Sequence, residues 1–467
     1  MHDSIFREYD IRGKIGSELV INDIYDLSRS IAYYFKQKNP QVKTIAVGMD
    51  GRLSSPTIKE RMVSALQDSG MNVIFIGICP SPVLYFALHT MPVDAGLMIT
   101  ASHNPADYNG IKISLGTDCI WGAQIKEIRD LYRAQKFLIS EIKGSYQEQA
   151  VIPVYIKWLH DHFSSLIAMP LAVAIDCGNG TGGTVLPELI DAMKWKNIQL
   201  LCAEVDGTYP NHEADPVVEK NMLHVKDALA KTSASLGIGL DGDSDRMAAM
   251  TKSGFLVPGD QLLALFAQEI LKTHPGSAVV FDVKASSGLI ELLKKWGAKP
   301  CISPCGHAII KTHMEKEHAV LAGELSCHFF FEDRYFGYDD GIYAMMRLFE
   351  IVQDSGKSLD ELVSIFPKKY SSPEIRIACP EDKKQIIIDH IIEHYKSKKD
   401  ADLLLIDGIR ATMPYGWANV RASNTQPVLS IRFEGNSLEE LAQIKEEMLD
   451  LLKNYFEIEL LKKELGL

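Results

Sequence analysis

The apolar residues of this chain fall in short runs that alternate with helix-period segments, and the alternation recurs three times. "TIAVGMDGRLSSPTI", "LAVAIDCGNGTGGTVLPEL" and "AVVFDVKASSGLIELL" each read as an apolar strand, an aspartate, a small-residue turn and a helix. The aspartates are Asp50, Asp176 and Asp282. A second strand follows each helix, in "NVIFIGICP", "IQLLCAE" and "KPCISPC". A third strand then runs into a polar loop: "TASHNP" after Met98-Ile99, "DGDSDR" after Ile238 to Leu240, and "GELSCH" after Val320 to Ala322. Strands alternating with helices predict α/β layers with mostly parallel pairing, and such sheets bind ligands beyond the carboxyl ends of their strands. The last hundred residues break the pattern. There "WANVRASNTQPVLSIRFEG" reads as strand, polar loop and alternating strand, "SLEELAQIKEEMLDLLKNYF" is an amphipathic helix, and "EIELLKKELGL" reads as its frayed continuation. The expected fold is therefore α/β: three similar α/β/α domains with mixed sheets plus a C-terminal α+β domain, arranged around a central cleft. The expected boundaries are residues 1–147, 148–252, 253–367 and 368–467.

Composition narrows the function. The 467 residues are 46% hydrophobic and 24% charged, as in an ordinary soluble protein, and carry a net charge of −12. That balance argues against a nucleic-acid partner, while a local basic patch can still take an anionic small molecule. No apolar run has the length of a membrane helix, and charges interrupt the N-terminal "MHDSIFREYDIRG" at once, so the expected location is the cytoplasm. The eight cysteines are scattered; only Cys301 and Cys305 lie close, without a second pair to complete a zinc motif. They are expected to be buried, reduced thiols.

The polar loops carry the chemistry. In "DGDSDR", Asp241, Asp243 and Asp245 alternate, and an extended segment would turn all three carboxylates to one side. Three carboxylates together repel unless a cation neutralises them, and an all-oxygen set suits Mg2+. An EF-hand is excluded, since its sixth and twelfth positions would be Arg246 and Lys252. In "TASHNP", Ser102 lacks the G-x-S-x-G setting of a hydrolase nucleophile. Beside a metal loop, a phosphorylated Ser102 would give an oxygen to the ion, with His103 and Lys112 adding positive charge and proton-transfer capacity. "GELSCH" offers Glu324, Ser326 and His328 to sugar hydroxyls, with Phe329 to Phe331 anchoring the loop. "RASNTQP" gathers Arg421, Ser423, Asn424 and Thr425, a set suited to a phosphate monoester.

Taken in order, "FREYDIRG", "TASHNP", "DGDSDR", "GELSCH" and "RASNTQP" resemble the α-D-phosphohexomutase superfamily, in particular its bacterial phosphomannomutase/phosphoglucomutase group. The resemblance implies reversible phosphoryl transfer between hexose 1-phosphate and 6-phosphate, of mannose or glucose, through phospho-Ser102 and a hexose 1,6-bisphosphate intermediate. It implies Mg2+ held by Asp241, Asp243, Asp245 and Ser102. By the same similarity Arg12, His103, Lys112 and His307 assist proton transfer and charge stabilisation, and Tyr9 and Arg246 line the site. Glu324, Ser326 and His328 would hold the sugar, and Arg421, Ser423, Asn424 and Thr425 the phosphate that is not reacting. Sugar phosphates are the expected partners, with no nucleic acid or membrane, and the chain is expected to be a monomer or weak dimer.

Two positions depart from the family pattern: Cys327 replaces a usual Gly, and Gln426 a usual Glu or Thr. The phosphoglucosamine mutase branch is the nearest alternative, but Asn424 and Leu325 differ from its usual Gly and Gln. A nicotinamide-dependent oxidoreductase would read "GNGTGG", Gly178 to Gly183, as its fingerprint with Glu204 downstream, leaving the other loops without roles. A non-catalytic sugar-phosphate sensor predicts damaged reacting groups, and none is missing. A phosphatase with Asp241 as nucleophile would want Thr in place of Asp245.

Overall fold

The computed structural model describes residues 1–422 and 428–467. These divide into two compact units, Met1–Ile270 with Ser326–Val363, and Leu271–Leu325 with Ser364–Leu467.

The first unit holds two sheets. One runs in the order Ile11–Lys14, Tyr108–Leu115, Ala95–Ile99, Thr44–Met49, Asn72–Ile78, Tyr146–Glu148. The other runs Leu256–Val257, Met247–Thr251, Leu236–Leu240, Val173–Asp176, Ile198–Leu201. In the second unit Lys299–Ser303, Ala278–Asp282 and Leu321–Gly323 lie side by side in that order. The threefold pattern of the sequence is thus a threefold topology. In each case the first strand lies between the second and the third, and all are parallel. The first two sheets become mixed where the third strand pairs antiparallel with the next, Tyr108–Leu115 or Met247–Thr251. The C-terminal sheet is wholly antiparallel.

The repeated aspartates have a shared structural task. Each ends its first strand and accepts the backbone N–H two residues on, at 3.0 Å from Arg52 to Asp50, 2.8 Å from Gly178 to Asp176 and 3.1 Å from Lys284 to Asp282. This Asx turn bends the chain from strand into helix. Asp50 does more. It also pairs with the Arg52 guanidinium at 3.1 Å and accepts from Ser55 at 2.7 Å, and both partners of the ion pair are buried.

One expectation about the C-terminus is corrected. The tail is a separate helix, Ile458–Leu465, after a break in the amphipathic helix Leu438–Leu452. Leu461 and Leu465 are buried in the core of the antiparallel sheet, so apolar contact holds the tail in place.

Removing one side of a buried ion pair leaves the other charge uncompensated. Asp50→Ala should therefore cost about 3–5 kcal/mol in urea unfolding. A loss below about 1 kcal/mol would show that Arg52 does not depend on Asp50.

Candidate active site

Two loops of the first unit meet at the carboxyl ends of their sheets. Strand Ala95–Ile99 leads to Ser102, a non-glycine residue at φ 51°, and strand Leu236–Leu240 leads to the three aspartates. Ser102 Oγ donates to Asp241 Oδ2 at 2.9 Å and lies 3.1 Å from His103 Nδ1. Its strained backbone is held by Thr100 Oγ1, which accepts from the Ser102 N–H, and by Arg52. Arg52 donates to the carbonyls of Ser102, Asn104, Pro105 and Tyr108. One buried guanidinium thus satisfies four carbonyls of the serine loop.

The aspartate loop does not achieve its convergence by extended alternation, as the sequence reading supposed. The strand stops at Leu240, residues 241–244 turn, and Ser244 takes φ 58°. The turn still places carboxylate oxygens of Asp241, Asp243 and Asp245 within 4.8 Å of one another, all buried. Lys112, on strand Tyr108–Leu115, reaches Asp243 Oδ2 at 2.7 Å and Asp245 Oδ2 at 2.5 Å, and Ser81 Oγ donates to Asp243 Oδ2. Burial opposes the charge on Lys112, but Asp243 and Asp245 outweigh it and hold its pKa well above the ordinary value. Burial and the two neighbouring carboxylates push Asp241 well above the usual range. Burial also works against Asp245, but Lys112, His328 and Arg246 pull it well below. His103 is held well below the usual imidazole range by desolvation, with Arg246 and Arg12 adding repulsion, so it is neutral beside Ser102.

Three further predicted residues of this unit, Arg12, Arg246 and His328, reach the pair of loops. Arg12 donates to Asn104 Oδ1 at 2.8 Å and forms an ion pair with Asp10. Arg246 sends its N–H to Asp241 Oδ1 and its Nε–H to His328 Nε2 at 2.9 Å, while His328 Nδ1 lies 2.9 Å from Asp339 Oδ2. His328, read from sequence as a sugar ligand, therefore packs against the aspartate loop through Arg246. Tyr9 is half-buried in the bend before strand Ile11–Lys14, and Ser326 is half-buried.

In the second unit, Glu324 is buried and accepts the Gly306 N–H at 2.7 Å, beside His307 at the first position of helix His307–Glu317. Arg421 Nε lies 2.8 Å from Asp407 Oδ2. Ser423, Asn424, Thr425 and Gln426 lie outside the described residues. Lys284, which the sequence reading passed over, is buried with Nζ 3.7 Å from Glu374 and 3.8 Å from Asp282. Arg410 and Arg432 hold the carbonyls around it, at Val283, Ala285 and Lys284. Cys327, in the place of a family Gly, takes φ 67°, the left-handed conformation that Gly adopts without cost.

Sequence reasoning missed four supports of the first unit, Arg52, the turn at Gly178 to Gly183, Ser81 and Gly341, and Lys284 of the second. Arg52 and Lys284 share a signal, because each stands two residues after a repeated aspartate. The "GNGTGG" turn is another support. Thr181 donates its N–H to the Gly242 carbonyl at 3.0 Å, and a Cβ on Gly180 would come 2.6 Å from the same oxygen. Ser81 and Gly341 complete the set, the latter donating its N–H to Ser244 O at 3.0 Å from the start of helix Gly341–Ser355. The glycine run that resembled a dinucleotide fingerprint is thus the brace of the aspartate loop.

The donor set fits a hard divalent ion. It is all carboxylate oxygen, and Asp243 Oδ1 and Asp245 Oδ1 are buried without a hydrogen-bond partner.

Fold and loops together define a multidomain α/β protein with a serine set against a buried carboxylate cluster that could hold a metal ion. Comparison with known proteins gives the class a family. Phosphoglucomutase/phosphomannomutase α/β/α domain I matches residues 3–138, domain II 153–254, domain III 258–370, and the C-terminal domain 374–451. The chain is 40% identical to a phosphomannomutase/phosphoglucomutase of Pseudomonas aeruginosa, over 96% of each chain. It is 37% identical to a phosphoglucomutase of Neisseria gonorrhoeae, over 94% of this chain and 95% of that one. A crystal structure of a phosphoglucomutase/phosphomannomutase family protein from Burkholderia thailandensis superposes with a TM-score of 0.89 at 32% identity, covering 97% of this chain and 98% of that one. The chain belongs to the phosphoglucomutase/phosphomannomutase family of the α-D-phosphohexomutase superfamily, and it is an isomerase of the phosphohexomutase type.

The contact between the loops is tight enough to test. A Cβ on Gly242 would stand 2.6 Å from the Ser102 carbonyl and 3.1 Å from Tyr209 Oη. Gly242→Ala should leave the protein folded but shift Ser102, lowering kcat on the order of a hundredfold. An unchanged kcat would show that the spacing of the loops does not matter.

Proposed function

We propose that this phosphohexomutase interconverts the 1-phosphate and 6-phosphate of glucose and of mannose, with Ser102 carrying the transferred phosphoryl group. The observation that carries this reading is the contact of Ser102 Oγ with Asp241 at 2.9 Å, at the edge of a buried carboxylate triad. In a resting protein, a serine hydroxyl aimed at an anionic cluster has little use; a phosphoserine there would share a cation with the cluster.

On this reading Asp241, Asp243, Asp245 and phospho-Ser102 hold Mg2+, whose charge offsets that of the phosphoryl group in transfer. Arg52 fixes the serine loop, so the attacked group is presented in one orientation. His103, neutral and 3.1 Å from Ser102 Oγ, is placed to exchange a proton with it or with the sugar hydroxyl. Lys112 keeps its proton and acts as fixed positive charge between Asp243 and Asp245, a narrower role than proton transfer. Arg12 and Arg246 contribute further charge. Glu324, Ser326 and His328 would hold sugar hydroxyls, and His307 would assist proton transfer and charge stabilisation. Arg421 with Ser423, Asn424 and Thr425 would grip the phosphate that is not reacting. The bound hexose 1,6-bisphosphate must turn over so that its other phosphate meets Ser102. A C2 hydroxyl left unread would admit both epimers, since rejection needs a buried partner left unpaired by the wrong sugar. The domains that carry these loops would divide near residues 147, 252 and 367.

Peptide mapping of the purified enzyme should find one phosphate, on Ser102, and incubation with hexose 1,6-bisphosphate should raise its occupancy. Ser102→Ala should remove both the phosphate and the mutase activity. Full activity in Ser102→Ala, or phosphate found on another residue, would refute the reading.

A further inference from the structure

The third strand of the second sheet feeds the carboxylate triad, but its first strand ends at a different cluster. Asp176 uses Oδ1 for its turn and leaves Oδ2 facing Cys202, His212 and His224. His212 Nε2 lies 3.2 Å from Asp176 Oδ2, and Cys202 Sγ lies 3.8 Å from the same oxygen. Cys202 Sγ is also 3.9 Å from His212 Nε2 and 3.4 Å from His224 Nδ1. All four potential ligand atoms fall within 4.8 Å of one another. A zinc ion with bonds of about 2.3 Å to sulfur and 2.0–2.1 Å to nitrogen or oxygen would space tetrahedral ligands roughly 3.3–3.6 Å apart. The observed separations bracket that range.

We propose that Asp176, Cys202, His212 and His224 form a second metal site, built for a tetrahedral ion of the zinc class and separate from the carboxylate triad. The donor chemistry decides the ion: a thiolate and two imidazoles with one carboxylate favour zinc over magnesium or calcium, which prefer oxygen alone. The outer contacts agree. His212 Nδ1 lies 2.9 Å from the Glu213 carbonyl, so a proton there would leave Nε2 for the ion, which would take the place of the Nε2 contact with Asp176 Oδ2. Cys202 is held at φ 46°, with its Sγ 3.8 Å from Asp176 at the end of strand Val173–Asp176. An entry path exists, because His224 is exposed on the first turn of helix Leu223–Lys231 while Asp176 is buried beneath it. The ion would tie the segment from 202 to 224, which contains little regular structure, to the sheet that carries the aspartate loop.

A thiol ligates as the thiolate, so binding of the ion should release the Cys202 proton to solvent.

The test uses the full-length protein, stripped of metal, kept in excess Mg2+ and titrated with Co2+ as a spectroscopic stand-in for Zn2+. The expected result is one equivalent with the intense visible bands of a tetrahedral site, a thiolate-to-cobalt charge-transfer band, and displacement of both by Zn2+. Cys202→Ser should abolish the charge-transfer band, and His224→Ala, an exposed change that spares the fold, should weaken binding at least tenfold. A weak octahedral spectrum without a thiolate band would overturn the proposal. So would a band that persists in Cys202→Ser, or an affinity unchanged in His224→Ala.

Discussion

Three buried carboxylates within 4.8 Å of one another, met by a single buried lysine, are the constraint around which the first unit is arranged. Lys112 satisfies one oxygen each of Asp243 and Asp245 and leaves the other oxygens without a hydrogen bond, with His328 Nδ1 3.6 Å from that of Asp245. Ser102 and the Arg246 N–H occupy the two oxygens of Asp241. A cluster of this kind is unstable by itself, because desolvation and mutual repulsion both act against it. It persists because the loops on either side are fixed by contacts that do not involve the carboxylates.

Those contacts come from each sheet in turn. Arg52, anchored by Asp50, holds four carbonyls of the serine loop. On the other side, Thr181 holds Gly242, and Gly341 holds Ser244. Small residues at Gly180 and Gly242 let two backbones approach until no side chain fits between them. The rigidity has a chemical purpose, since phosphoryl transfer depends on position and charge more than on covalent participation by the protein.

Much of this was legible in the sequence. The triple repeat of strand, aspartate, turn and helix predicted the mostly parallel pairing, because apolar runs separated by helix-period segments leave few other arrangements. The loops that follow each third strand were expected as sites because open α/β sheets bind ligands there, and the structure brings two of them together at Ser102 and Asp241. What stayed hidden depended on contacts distant in sequence. Arg52 reads as an ordinary polar residue of a turn, and only the fold shows its guanidinium buried among carbonyls 50 to 56 residues away. The contact of His328 with Arg246, 82 residues earlier, is one that its neighbours Glu324 and Ser326 do not announce. The aspartates were read as an extended alternation; a turn with Ser244 at positive φ brings them together instead. Cys202, His212 and His224 carry no recognisable metal spacing, because irregular chain rather than a helix or hairpin assembles them.

The account makes the triad a stability cost that binding a cation repays. A carboxyl whose folded pKa is raised above its unfolded value, as at Asp241, lowers stability once the pH exceeds the unfolded pKa. Asn at that position keeps the acceptor for the Arg246 N–H and removes one charge. The most direct measurement is the urea unfolding free energy of wild type and Asp241→Asn at neutral pH, with Ser102 unphosphorylated, first in chelator and then across a Mg2+ series. The account predicts that Asp241→Asn is the more stable protein in chelator, and that Mg2+ raises wild type as RT ln(1 + [Mg2+]/Kd) while leaving the variant nearly unchanged. A variant less stable than wild type in chelator, or one that gains as much from Mg2+, would contradict it.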